Sequence, residues 1–156
     1  GRHLGDFLKE EPSQDERNHF GQLIWEFFHE ELRFGGYVHA DTHPGNFLFT
    51  HDGKLGIIDF GCVKLFPDEF FKNYLKLLPC HLGDDEEAIR ELYTKLEVIN
   101  PNAKAQSKED EYHNFARNYG IMFSKPYRYD FFDFSNPDFD NEIRHFTKEA
   151  PLSNEV

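Results

Sequence analysis

Residues 36–61 read GYVHADTHPGNFLFTHDGKLGIIDFG. Two short apolar runs, Phe47–Phe49 and Leu55–Ile58, flank a polar turn containing Asp52-Gly53, the pattern of a tight β-hairpin. A hairpin brings the chain back to its starting end, so the polar cluster HADTHPGN at its entrance and DFG at its exit must emerge together. An isolated hairpin is marginal in water. The rest of the chain must therefore cover its apolar side and leave that one end accessible.

The flanking segments supply helices for this purpose. Ser13 to Glu16, SQDE, is a capping box, in which the serine oxygen takes a backbone N–H and the glutamate reaches back to the cap. Phe20, Leu23, Ile24, Phe27 and Phe28 then recur at the spacing that lays one stripe along a helix, and Gly35-Gly36 supplies a stop. The spacing predicts a long buried helix over 14–34, with the phenylalanine stripe and Trp25 as core. Downstream, helices are expected at Pro67–Leu78, Asp84–Glu97 and Ser107–Phe123, with a weaker start at Asn136. The acidic runs at 84–87 and 108–111 sit at helix starts, where carboxylates complement the helix dipole. KPYRYDFFDFS, residues 125–135, has no clear period and is expected to be an aromatic loop, either packed on the body or used to bind a partner. The fold class is mainly α with a short β-hairpin, in one domain over 1–156.

Eighteen phenylalanines make the expected core ring-rich. A formal net charge of −12 repels phosphate backbones, which argues against nucleic acid as a partner. It does not argue against a nucleotide, whose charge can be met locally by Mg²⁺ on acidic and amide oxygens. Cys62 and Cys80 are too few for a disulfide framework, and Cys62 is expected to be a small packing residue. The chain has no long apolar run and its first residues do not read as a signal peptide, so a cytoplasmic location is expected.

The polar clusters admit two chemistries. His39, Asp41 and His43 could be a zinc triad, but zinc would give no task to Asn46 or to DFG. Phosphoryl transfer asks for a carboxylate near the attacking oxygen and two oxygen ligands for Mg²⁺. Asp41, then Asn46 five residues on, then Asp59 thirteen further, follow the order of the protein-kinase catalytic loop and DFG. Pro44 and Gly45 force the turn between Asp41 and Asn46, and the hairpin returns Asp59 opposite Asn46, so a metal could sit between the last two.

HADTHPGN with IIDFG, after a helix that ends in a Gly-rich turn, closely resembles the UbiB/AarF family of atypical protein-kinase-like proteins. The resemblance spans roughly residues 1–97 and is strongest over 36–66. It implies a kinase-like C-lobe (α+β), with catalytic loop 39–46 and DFG 59–61, followed by a helical extension over 98–156. It implies Asp41 as the catalytic-loop aspartate, and Asn46 and Asp59 as Mg²⁺ ligands. His39, His43 and Gly61 would be structural supports. ATP and Mg²⁺ are the implied cofactors, ATP hydrolysis or phosphotransfer the implied activity, and isoprenoid-lipid or ubiquinone biology the implied setting, with a lipid or a peripheral membrane contact as partner.

The phosphate loop, strand lysine, partner glutamate and KxGQ segment of that family have no counterpart in these residues. The sequence is therefore expected to be a C-lobe whose N-lobe is absent: that lobe would be a partner, the face meeting it exposed and apolar, and the isolated chain nearly inactive. Two alternatives stay open, a small-molecule phosphotransferase of the aminoglycoside or choline kinase type, and a non-catalytic nucleotide-binding scaffold.

Overall fold

Ser13 caps a helix in the way its spacing to Glu16 requires. The Ser13 backbone N–H and hydroxyl both donate to Glu16 Oε2, at 2.9 and 2.8 Å, and the Glu16 N–H donates back to Ser13 Oγ at 3.2 Å. In the computed structural model, which describes residues 1–33, 36–104 and 106–149, this helix is α2, Gln14–Arg33. Phe34 and Gly35, part of the expected helix end and stop, lie outside the described residues. Gly36 has φ +73°, and a Cβ there would meet the Phe66 carbonyl at 3.2 Å, so the turn out of the helix requires glycine.

The chain groups into two units, Gly1–Phe71 and Lys72–Val156. In the first, a short helix that sequence patterning did not reveal, α1 (Leu4–Lys9), precedes α2. The expected hairpin forms from β2 (Phe47–Phe49) and β3 (Leu55–Ile57), in the register Phe47↔Ile57 and Phe49↔Leu55. Arg2 adds a bridge to Phe49, each N–H donating to the other's carbonyl at 2.9 and 2.8 Å. Alternation along β2 turns Phe47 and Phe49 to one side, where they meet α1 and α2. Phe7 stacks on Phe49 at 4.9 Å between centroids, and Phe20 meets both edge-on, at 5.2 Å from Phe7 and 5.1 Å from Phe49. These four rings are the buried centre, with Leu4, Leu23, Ile24, Phe27, Phe28, Leu55 and Ile57 packed against it half-buried. At about 1.5–3 kcal/mol for each fully buried large apolar side chain, this cluster is the main favourable term in the unit. Helix α2 is thus not buried all round. It buries one stripe and leaves Glu16, Gln22, Glu26 and Glu30 in solvent.

A second sheet was not foreseen. β1 (Tyr37–His39) pairs antiparallel with β4 (Val63–Leu65), so the chain after DFG returns along the strand that enters the HAD loop before it turns into a helix. Each strand has three residues, and all of β4 is exposed, so neither shows the alternation that marks a strand in sequence. Cys62, at the end of the short 3₁₀ turn Phe60–Cys62, is exposed too, which overturns its reading as a packing residue. The turn faces solvent and gives the thiol nothing to pack into.

In the second unit, α3 (Asp68–Gly83, with its first turn in the first unit) runs past the expected end at Leu78 and straight through Pro79. Proline removes only one backbone donor, and the carbonyl it deprives belongs to Leu75, 48 % exposed and open to water. Contacts of His81 hold the last turn in place. α4 (Glu86–Lys95) is capped by Asp85, whose Oδ1 accepts the Ala88 N–H at 3.1 Å, and not by Asp84, which has a left-handed φ of +52°. α5 (Gln106–Ser124) ends in a 3₁₀ turn, Lys125–Arg128, and α6 (Pro137–Glu149) follows the Asn136 start, with Asn136 Oδ1 accepting the Asp138 N–H. Ile89, Leu92, Tyr93, Leu96, Ile99, Met122 and Phe139 form the core of this unit, together with buried His81 and His113. The aromatic loop packs only in part. Phe132 meets Phe139 at 4.9 Å and Phe134 at 5.0 Å, while Tyr129 and Phe131 are 63 % and 74 % exposed.

Candidate active site

The HAD loop is set by its own short side chains. Asp41 Oδ1 accepts the His43 N–H at 3.3 Å, and Asp41 Oδ2 accepts from Asn46 Nδ2 at 3.0 Å. The same Nδ2 also donates to the Asp41 carbonyl at 3.2 Å. His43 caps the single 3₁₀ turn Pro44–Asn46, its Nδ1 accepting the Gly45 N–H at 3.0 Å. A Cβ on Gly45 would lie 2.9 Å from that nitrogen, so glycine lets the ring close over the turn. Proline at the first position of the turn loses no bond, because that donor has no partner within the turn anyway. Asp41 and Asn46, five residues apart, are thereby joined directly.

The donation by Asn46 Nδ2 to Asp41 fixes the amide orientation and turns Oδ1, an acceptor only, away from Asp41. The main chain of Asn46 then locates the third residue. Its carbonyl accepts the Ile58 N–H at 2.9 Å, and Asp59 follows directly on Ile58. Asp59 is exposed and sits in the left-handed region, φ 60° and ψ 72°, with Oδ1 accepting the Gly61 N–H at 3.3 Å. Left-handed backbone is costly for a residue with a Cβ, least so for aspartate and asparagine, and such strain collects at functional positions. Gly61, the third residue of DFG, gives the N–H that steadies the carboxylate, and a Cβ on it would meet Asp59 Oδ1 at 3.2 Å.

Hard, oxygen-only donors on adjacent stretches of backbone are what Mg²⁺ takes, usually from one or two carboxylates, with phosphates and water completing the shell. Asn46 Oδ1 and the Asp59 carboxylate fit that description. The histidines do not join them. His39, 1 % exposed, turns Nε2 toward the Ile58 carbonyl at 3.4 Å and packs its ring edge-on to Phe27 and Phe60. His43 is spent on Gly45. Among the described residues, no group of three His, Cys, Asp or Glu side chains is placed to hold a metal ion. The structure therefore joins Asp41 to Asn46 directly, bonds the Asn46 carbonyl to Ile58, the residue before Asp59, and turns His39 to the Ile58 carbonyl and His43 to the Gly45 N–H.

The family model of the ABC1 atypical kinase-like domain matches residues 1–93, from α1 through the loop, hairpin and DFG into α4. The chain belongs to the ABC1 atypical kinase-like family. Among relatives of this ABC1 chain, an uncharacterized aarF domain-containing protein kinase of the Arabidopsis thaliana chloroplast is 35 % identical over 77 residues, 49 % of this chain and 11 % of that protein. The mitochondrial atypical kinase COQ8 of Schizosaccharomyces pombe is 28 % identical over 127 residues, 80 % of this chain and 21 % of its own length. COQ8 of Saccharomyces cerevisiae is 26 % identical over 136 residues, 85 % of this chain and 26 % of its own length. The ABC1 chain thus spans about a quarter or less of these relatives. No helix among its described residues is long and apolar enough to cross a membrane.

One residue tied to this loop escaped the sequence reading. Glu31 of α2 accepts the His39 N–H at 2.9 Å through Oε1. The signal was there: Glu31 lies four residues after Phe27 and three after Phe28, so it continues the apolar stripe as a carboxylate.

Proposed function

We propose that the chain carries the metal-binding and catalytic-loop half of a Mg²⁺-dependent ATP site, and that the complete protein hydrolyses ATP or transfers its terminal phosphoryl group. The observation that carries this reading is the side-chain bond between Asp41 and Asn46 and the backbone bond from Ile58 N–H to the Asn46 carbonyl, with Asp59 next in the chain in a left-handed conformation at the exit of the hairpin. Phosphoryl transfer demands little covalent chemistry from a protein and much positioning and charge neutralisation. In this reading Asn46 and Asp59 would hold Mg²⁺, which would supply charge neutralisation for the oxygens of the transferring group. Asp41, half-exposed and oriented by Asn46 and the His43 N–H, accepts the proton of the attacking oxygen or orients it.

The family's isoprenoid-lipid setting extends the proposal to the acceptor or effector. Thr42 and Pro44 of the loop border an apolar cleft of about 590 Å³ whose walls include Leu4, Phe7, Phe20 and Ile24. A molecule with a long apolar body fits such walls. The N-lobe remains a partner in this reading, since the phosphate loop and lysine must come from residues beyond these.

The test is Mg²⁺-dependent ATP turnover and nucleotide binding by the complete protein, beside Asp59→Asn and Asp41→Ala. Loss of about 100-fold or more in turnover is expected for each, the order seen when a group acting on transition-state charge is removed. Asp59→Asn should also raise the Mg²⁺ concentration needed for binding. Wild-type turnover retained in both variants would end the proposal.

A further inference from the structure

Glu31 presents a cost that the fold alone does not explain. Its Oε1 takes the His39 N–H, but Oε2 is buried and has no hydrogen-bond partner among the described residues. Burying a carboxylate oxygen without a donor is among the more expensive things a protein does. Glutamine would satisfy the same N–H with a neutral group, and leucine would suit the stripe of Phe20, Ile24, Phe27 and Phe28.

Strand geometry explains why a side chain is needed there. Ala40 N–H donates to the Cys62 carbonyl and Phe66 N–H to the Gly36 carbonyl, so the even-numbered residues of this stretch face β4. In an antiparallel ladder the odd-numbered groups then point to the other edge. The N–H of buried His39 is such a group, and a buried donor must be met. Helix α2 runs along that edge, and Glu31 meets it.

The ring of His39 carries the constraint onward. A carbonyl only accepts, so Nε2 is the donor to Ile58 O, which leaves Nδ1 as the other ring nitrogen. That Nδ1 is also buried and unpartnered among the described residues. Ile58 is therefore held at both ends of its peptide groups, by His39 through its carbonyl and by Asn46 through its N–H. The next residue is Asp59.

We propose that Glu31 is a positioning residue of the candidate active site. It anchors β1 to α2 at His39, orients the His39 ring onto Ile58, and thereby fixes where Asp59 stands relative to Asn46. The significance for Mg²⁺ rests on the function proposed above; the mechanical coupling from Glu31 to Ile58–Gly61 does not.

The experiment uses the full-length protein as wild type, Glu31→Gln and Glu31→Ala, and measures amide hydrogen exchange over residues 37–41 and 57–62. Mg²⁺ titrations of the binding of a fluorescent ATP analogue accompany it. In Glu31→Ala the His39 amide is expected to exchange about tenfold faster, the scale of one net hydrogen bond, and protection at Ile58 and Gly61 to fall with it. Half-saturating Mg²⁺ should rise about tenfold, as for loss of an outer support of a metal ligand. Glu31→Gln, which keeps the acceptor, should restore exchange at both segments. If Glu31→Ala exposes the His39 amide and leaves Ile58 and Gly61 protected, Glu31 only braces β1 and the inference is overturned. Lower thermal stability with unchanged Mg²⁺ dependence and unchanged protection at 57–62 overturns it equally. If the wild type binds no nucleotide, the proposed function fails, and the exchange at 57–62 alone decides the coupling.

Discussion

Gly120→Ala should destabilise the protein although it places alanine, the best helix former, in the middle of α5. A Cβ built at Gly120 lies 2.5 Å from His81 Nε2 and 2.8 Å from Nδ1, and closer still to Cε1, all far inside van der Waals contact. The ring cannot simply step aside. The Tyr93 hydroxyl donates its one hydrogen to the Ala116 carbonyl at 2.8 Å, so at 3.0 Å His81 Nε2 must be the donor to Tyr93 Oη. Moving the buried ring breaks that bond and strands its N–H. Overpacking costs about 1–3 kcal/mol, and the lost bond costs about 1 kcal/mol. The helix preference of alanine over glycine returns about 1 kcal/mol. The net is about 1–3 kcal/mol of destabilisation, read as a lower urea midpoint in far-UV circular dichroism. Gly21→Ala is the matched control, since Gly21 lies inside α2 with nothing within 4 Å of an added Cβ, and it should gain about 1 kcal/mol. In a His81→Ala background the clash is gone, and Gly120→Ala should become neutral or stabilising. A Gly120→Ala midpoint at or above wild type, or an equal loss with and without the His81 ring, refutes the reasoning.

The same histidines predict a pH dependence. Burial lowers the pKa of His81 and His113 below 6.5, helped by Arg117 and by Arg90 respectively. The unfolded chain then binds protons that the folded one refuses, so stability is complete above about pH 6.5 and falls as pH drops through the depressed folded values. Urea midpoints should decline from about pH 7.5 to about pH 5.5, and a His81→Gln/His113→Gln variant should decline less over that range. Ser13→Ala removes the cap of α2 and should cost about 1 kcal/mol in the same assay, with Glu16→Ala additive by less than its own single effect because the two share one motif. Gly45→Ala should push the His43 ring off its turn and weaken Mg²⁺-dependent nucleotide binding severalfold in the complete protein, while an exposed loop keeps the change in melting temperature small.

Where the sequence carried the structure, one local interaction usually sufficed to fix it. The capping box at Ser13, the Asp52-Gly53 turn between apolar runs and the stripe from Phe20 to Phe28 each state their geometry within a few residues, and each is found. What could not be read depends on partners distant in the chain. α1 has only six residues, too few to show a period, and it is held by Phe7 on Phe49 and by the Arg2 bridge. α3 outruns Pro79 because of the ring of His81, whose seat is a glycine 39 positions later. Cys62 faces solvent because the strand after it is an exposed edge, and nothing in its own neighbourhood says so.

The candidate site divides along the same line. Asp41, Asn46 and Asp59 could be named from spacing, because a loop of five and a hairpin of thirteen leave few ways to arrange three oxygens. How they are held could not. The strands β1 and β4 meet across 26 residues, His39 is engaged by Ile58 from 19 residues on, and Glu31 reaches His39 from the preceding helix. A spacing argument names residues that act together but is silent on those that hold them, since support is given by geometry and many side chains could give it. Glu31 shows what such a support leaves behind in a sequence. An acceptor needed at a buried strand edge has to be placed on the helix facing it, and that helix face is otherwise apolar. A carboxylate at a stripe position is therefore the mark to look for, and in this chain it points from the core of α2 to the strand end that presents Asp59.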